Sequence, residues 1–257
     1  MRLVRHRLFW PVVTLLLLLA LNAAFNPAFL RLTMRSGHFY GSLVDILKGA
    51  APLALVALGM TLVIATRGID ISVGAVVAIA GGVAAWMIGG SLVIHDGVST
   101  YVSRFPMWLA IVSALGVAAV CGAWNGALVA GVGMQPIIAT LILMVAGRGI
   151  AQLVTNGQII TVYYAPYFFL GNGYLLGLPF PFLLAAAVFV LMVLLVRRTA
   201  LGLFLEAVGI NPAAAYVAGL PARRITFWAY VACGLCAGIA GLVVSSTVKS
   251  ADGNNAG

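Results

Sequence analysis

Acidic side chains are scarce in this chain. Asp and Glu number five in 257 residues, and charged residues of both signs make up 7% of it. A soluble domain carries about 25% charged residues, so there are too few polar groups here to cover a water-facing surface. Histidine occurs only at His6, His38 and His95, without metal-ligand spacing. Cysteine occurs only at Cys121, Cys233 and Cys236, all inside apolar runs. Cys233 and Cys236 have redox-motif spacing but lack the strand-to-helix turn such sites need, so they read as small packing residues. H-E-x-x-H, G-x-S-x-G and the Walker A phosphate loop are all missing, so this chain has no means of hydrolysing ATP by itself. The five acidic residues are too dispersed for a membrane-embedded transferase or hydrolase. An ion-coupled secondary transporter would want a carboxylate at mid-depth or broken helices near the midplane, and only Asp70, at a membrane edge, is available. Those two readings stand as the weaker alternatives.

What is present is apolar. Hydrophobic residues make up 63% of the chain, and the mean hydropathy is +1.15. Apolar runs of about 20 residues recur, the length of a membrane-spanning helix rather than of a barrel strand. The formal charge is +9. Because the basic residues gather at helix ends, this is positive-inside bias and not a nucleic-acid surface. Arg2, Arg5 and Arg7 precede an apolar run at 8–24, and no Ala-x-Ala cleavage site follows at 20–26. That predicts a retained first span with a cytoplasmic N-terminus rather than a signal peptide.

The expected architecture is an all-α, polytopic transmembrane bundle forming one domain over 1–257. Its spans are predicted at 8–24, 49–66, 71–90, 107–131, 136–155, 178–196 and 225–248. Inner segments would then hold eight Lys/Arg (Arg2, Arg5, Arg7, Arg67, Arg197, Arg198, Arg223, Arg224) and outer segments five (Arg31, Arg35, Lys48, Arg104, Lys249). Small residues recur at four-residue spacing, as Gly74/Ala78/Gly82, Gly122/Gly126 and Gly234/Gly238. In lipid such spacing lets helix backbones approach closely.

The long basic interruption at 197–224 contains two short helices. Leu201, Phe204, Leu205 and Val208 form an apolar stripe in the first, which Gly209 is expected to end. Asn211 has N-cap chemistry, Pro212 suits the first helical position, and Gly219 followed by Pro221 is a stop signal. The polar side chains offered as lining a path are Thr61, Asp70, Ser72, Asn125 and Arg148. Asp70 is either the N-cap of the third span or a path-lining group. Asn125 is expected to hydrogen-bond a neighbouring helix. Arg148 either snorkels outward or faces a polar interior.

Three stretches in register carry a resemblance. The segment GMTLVIATRGIDISVG at 59–74, the region from Asn125-Gly126 through QPIIATL at 135–141 to Arg148-Gly149, and LGLFLEAVGINPAAAYVAG at 201–219 are together similar to the ribose-type sugar ABC importer permeases. Within that family the likeness runs furthest toward its galactofuranose-importing members, through residues 42–47, 206–211 and 251–257. The resemblance implies a multi-pass subunit of the bacterial inner membrane that binds no cofactor of its own. It would pair with a second permease subunit, identical or not. A cytoplasmic ATP-binding subunit holding ATP and Mg would drive it, and a periplasmic sugar-binding protein would deliver the cargo. The loop at 197–224 would be the coupling element, through Leu201, Phe204, Leu205, Glu206, Gly209, Asn211, Pro212, Ala214 and Gly219. Two departures are visible. Arg67 stands where the family usually has glycine, which would put a cation beside Asp70. Tyr216 stands where a cation is common, so docking is expected by shape and by the Leu201/Phe204/Leu205 stripe more than by salt bridges. Family chains also continue for several spans beyond the segment like 252–257, implying that C-terminal spans are missing from this chain.

Overall fold

The computed structural model describes residues 9–26, 28–35, 37–95 and 98–252. His6 and the N-terminal arginines Arg2, Arg5 and Arg7, expected on the inner face, lie outside the described residues, as do residues 253–257. All seven apolar runs form helices. They are α1 (Phe9–Phe25), α2 (Ser42–Ala65), α3 (Val73–Ile88), α4 (Met107–Gly126), α5 (Pro136–Val154), α7 (Phe180–Arg198) and α10 (Ala222–Val248). Three shorter helices join them: α6 (Ala165–Asn172), α8 (Ala200–Ile210) and α9 (Pro212–Val217).

Among the described residues, five of these helices are long and apolar enough to cross a membrane; α4 continues as a π-helix over Ala127–Val132. With 16 residues, α3 rises about 24 Å, short of a hydrocarbon core about 30 Å thick. It can be short because it is enclosed by its neighbours: most of its residues are buried. By contrast α1 buries no residue.

Two boundaries differ from expectation. The second span begins at Ser42, not at residue 49: Asp45 and Lys48 are carried inside the helix, and the Lys48 ammonium reaches Asn172 Oδ1 at 2.6 Å. In the last span the helix starts at Ala222, so Arg223 and Arg224 belong to its first turn.

At the centre is α10, packed on α2, α3 and α4. Lipid is as apolar as leucine, so close backbone contact must hold these helices together, and glycines supply it. A Cβ on Gly122 would lie 2.5 Å from the Tyr230 carbonyl oxygen, and one on Gly234 would lie 2.5 Å from that of Ala118. The Gly122/Gly126 and Gly234/Gly238 pairs seen in the sequence are the two sides of the α4–α10 contact.

The two ends of the bundle differ. Antiparallel pairs cap one end: β1 (Thr33–Arg35) with β2 (His38–Tyr40), β3 (Ser91–His95) with β4 (Val98–Val102), β5 (Ile160–Thr161) with β8 (Ser250–Ala251), and β6 (Tyr174–Leu175) with β7 (Leu178–Pro179). At the opposite end the connections are short, 66–72 and 133–135, except where α8 and α9 intervene.

Candidate functional site

The α8–α9 corner is built by local capping. Thr199 Oγ1 accepts the Leu201 N–H, and Asn211 Oδ1 accepts those of Ala213 (3.0 Å) and Ala214 (3.1 Å). Pro212 occupies the first turn of α9, as its fixed φ favours. Gly219, at φ 83°, closes α9: its N–H goes to Tyr216 O while that of Leu220 reaches Ala215 O, the hydrogen-bond pair of a Schellman motif. Gly209 does not end the first helix, as the sequence suggested. Instead α8 runs through it to Ile210, and the missing side chain lets the helix lie against the Ala65 carbonyl.

The apolar stripe is turned partly inward. Phe204 and Leu205 are half-buried, and with Leu201 they line a cavity of about 560 Å³ with Leu62, Leu195 and Trp228. The stripe faces the bundle, because α8 folds back over α7 and α10. Leu201, 48% exposed, shares the outward surface with Leu203, Ile210, Tyr216 and Val217, which are between 68% and 87% exposed. Glu206 and Ala214 are also exposed.

Beneath this corner, the α2–α3 link carries a buried polar cluster. Asp70 Oδ1 accepts the Ser72 N–H (2.9 Å), the Ser72 hydroxyl (2.6 Å) and the Asn125 amide (3.3 Å). The Cys233 thiol of α10 lies beside this carboxyl. Asn125 Nδ2 also donates to Ser72 Oγ at 2.8 Å, so the expected interhelix bond from Asn125 is present. Its own Oδ1 is buried without a partner. Ser72, and not Asp70, occupies the N-cap position of α3. The carboxylate acts two residues earlier, accepting the Ser72 N–H and closing the link on itself. Burial pushes the Asp70 carboxyl above its ordinary range, and the Ser72 and Asn125 hydrogen bonds partly offset that. Arg67 is not beside it: that guanidinium donates to the Ile210 carbonyl.

Three of the five path candidates, Asp70, Ser72 and Asn125, therefore meet in one place. Thr61 does not join them. It bonds back to Ala57 O and borders a separate groove between α2 and α7, with Ala54 and Phe182. Arg148 lies exposed on α5. Sequence reasoning missed the outer ring of the cluster. The Tyr230 hydroxyl donates to Ile69 O at 3.3 Å, and Thr140 Oγ1 accepts the Ile71 N–H at 3.3 Å. The available signal was Tyr230 and Cys233 at i, i+3 on one face of α10.

Comparison with known proteins is consistent across sources. The family described as "Branched-chain amino acid transport system / permease component" matches residues 42–257. The galactofuranose transporter permease protein YtfT of Escherichia coli (strain K12) is 48% identical over 98% of this chain and 72% of its own length. The fructose import permease protein FruF of Bifidobacterium longum is 38% identical over 98% of this chain and 68% of its own. The ribose import permease protein RbsC of Haemophilus influenzae is 31% identical over 93% of this chain and 69% of its own. No solved structure matches the chain.

Proposed function

The chain belongs to this family of transport-system permease components, and from that premise we propose that it is the membrane subunit of an importer that moves a monosaccharide, galactofuranose first among the candidates. It is a sugar ABC importer permease and not an enzyme; ATP hydrolysis belongs to a separate subunit. It sits in the inner membrane as a multi-pass protein and works with ATP-binding and substrate-binding partners. The observation that carries the sugar assignment is the 48% identity to a galactofuranose permease across 98% of this chain. A neutral cargo also fits a chain with five acidic residues.

The orientation we favour puts the N-terminus and the α8–α9 corner in the cytoplasm, supported by the eight-to-five distribution of Lys and Arg. The ATPase would press on the exposed side of α8 and α9, which presents Ile210, Tyr216 and Val217. Discrete repacking of the bundle would then alternate access. A second permease copy, identical or homologous, would complete the path.

Uptake into vesicles carrying the permease, its ATPase and its binding protein tests the assignment. A panel of furanoses and pyranoses should reveal ATP-dependent uptake of at least one monosaccharide. ATP-dependent uptake of amino acids and of no sugar would overturn it. A membrane-impermeant maleimide applied to intact cells tests orientation: it should label Leu176→Cys and spare Tyr216→Cys. Both positions are well exposed, and the native cysteines are buried.

A further inference from the structure

We propose that Arg67 is a positioning residue that fastens the α8–α9 corner to the α2–α3 link, so that displacement of the corner reaches the Asp70 cluster; this rests on the coupling role proposed above. Arg67 has φ 61°, a left-handed backbone that a side chain with a Cβ adopts at a cost. Its side chain is exposed, yet it does not trail into solvent. Nη2 donates to the Ile210 carbonyl at 2.5 Å. Ile210 is the last residue of α8, where carbonyls lack intrahelical partners and the helix dipole places partial negative charge. A guanidinium there completes the helix end. One residue earlier, Gly209 rests on the carbonyl of Ala65, the last residue of α2. The corner thus meets the link at two adjacent points.

The link passes directly from that contact into the buried polar groups. Gly68 has no room for a side chain beneath the Tyr230 hydroxyl. Ile69 O accepts from Tyr230 of α10. Ile71 N–H reaches Thr140 of α5, and Asp70 and Ser72 hold Asn125 of α4. Seven residues therefore touch six helices, counting α8 through Arg67 and α2 and α3 at their ends. The other attachment of α8 is the apolar cavity against α7 and α10, where non-directional contacts allow sliding. A hydrogen bond from a charged, planar donor does not slide. Arg67 is accordingly the directional tie between corner and link.

The complete transporter in proteoliposomes tests this with Arg67→Ala, Arg67→Gly and Arg67→Lys. Two readouts are taken: sugar moved per ATP hydrolysed, and the alkylation rate of Cys233 in a Cys121→Ala/Cys236→Ala background, with and without ATP and vanadate. Cys233 is a native reporter because it is fully buried and lies beside Asp70. Arg67→Ala and Arg67→Gly should lower sugar moved per ATP about fivefold or more and abolish the nucleotide effect on Cys233, leaving its basal rate and ATPase activity unchanged. Arg67→Lys should restore most of both, since an ammonium can also reach a helix-end carbonyl. A normal nucleotide response in Arg67→Ala, or Arg67→Lys as defective as Arg67→Ala, would overturn the proposal. If no sugar is moved by the wild type, the functional reading fails, while the Cys233 response still decides the role of Arg67.

Discussion

Asn125 and Ser72 meet at 2.8 Å in a site closed to solvent, joining the end of α4 to the start of α3. The same amide leans on Asp70, so one side chain holds two residues of the link. Asn125→Ala removes that donor and should destabilise the protein by about 1–3 kcal/mol. Asn125→Asp should be worse, because it sets a second carboxylate against Asp70 in a low-dielectric site. Thermal unfolding in detergent ranks the two; equal melting temperatures would contradict the arrangement.

Asp70→Asn should retain membrane levels and most uptake. The three hydrogen bonds from Ser72 and Asn125 converge on Oδ1, and an asparagine carbonyl oxygen can accept at that position. Asp70→Ala strands the Ser72 N–H and hydroxyl, leaves the Asn125 amide only its bond to Ser72, and should cost about 2–4 kcal/mol, seen as lower yield and an earlier melt. Complete loss of uptake in Asp70→Asn with normal membrane levels would instead give the carboxylate a path role.

Gly209→Val and Gly219→Val should separate cleanly in coupled uptake assays. A side chain at Gly209 meets the Ala65 carbonyl, whereas one at Gly219 meets nothing within 4 Å. Valine at Gly219 strains a residue at φ 83°, costing about 1–3 kcal/mol locally. Valine at Gly209 lifts α8 from the link, so uptake should fall about tenfold with ATP hydrolysis retained. The reverse ranking would show that the Gly209 contact is not transmitting.

Tyr167→Phe should lower the melting temperature without touching coupling. Its hydroxyl is buried 2.6 Å from Ser245 Oγ and also reaches Leu242 O, tying α6 to α10 at the hairpin end. Loss of that hydroxyl costs about 0.5–1.5 kcal/mol. Unchanged thermal stability would mean the contact contributes nothing.

The seven helices were legible because each apolar run is longer than a soluble helix needs and ends in charge or glycine. The caps of α9 were equally legible, since Asn211 and Gly219 act within four residues of themselves. Even the α4–α10 seam could be anticipated from glycine spacing, though not which helix would answer it.

Facing and partnership were not legible. The Leu201/Phe204/Leu205 stripe has the period of a buried face and of a docking face alike, and only the return of α8 over α7 and α10 turned it inward. Arg67 lies three residues from Asp70 in sequence, but its left-handed backbone sends the guanidinium to Ile210. Thr61, Asn125 and Arg148 look alike as polar interruptions in apolar runs, and one of them joins Asp70. The reason is physical: periodicity and capping depend on neighbours within a turn, so composition and local order suffice for membrane class, the seven long helices and the caps of α9. The Asp70 cluster depends on bonds spanning 53 to 161 residues, and those exist only once α10 has drawn α3, α4 and the link around itself.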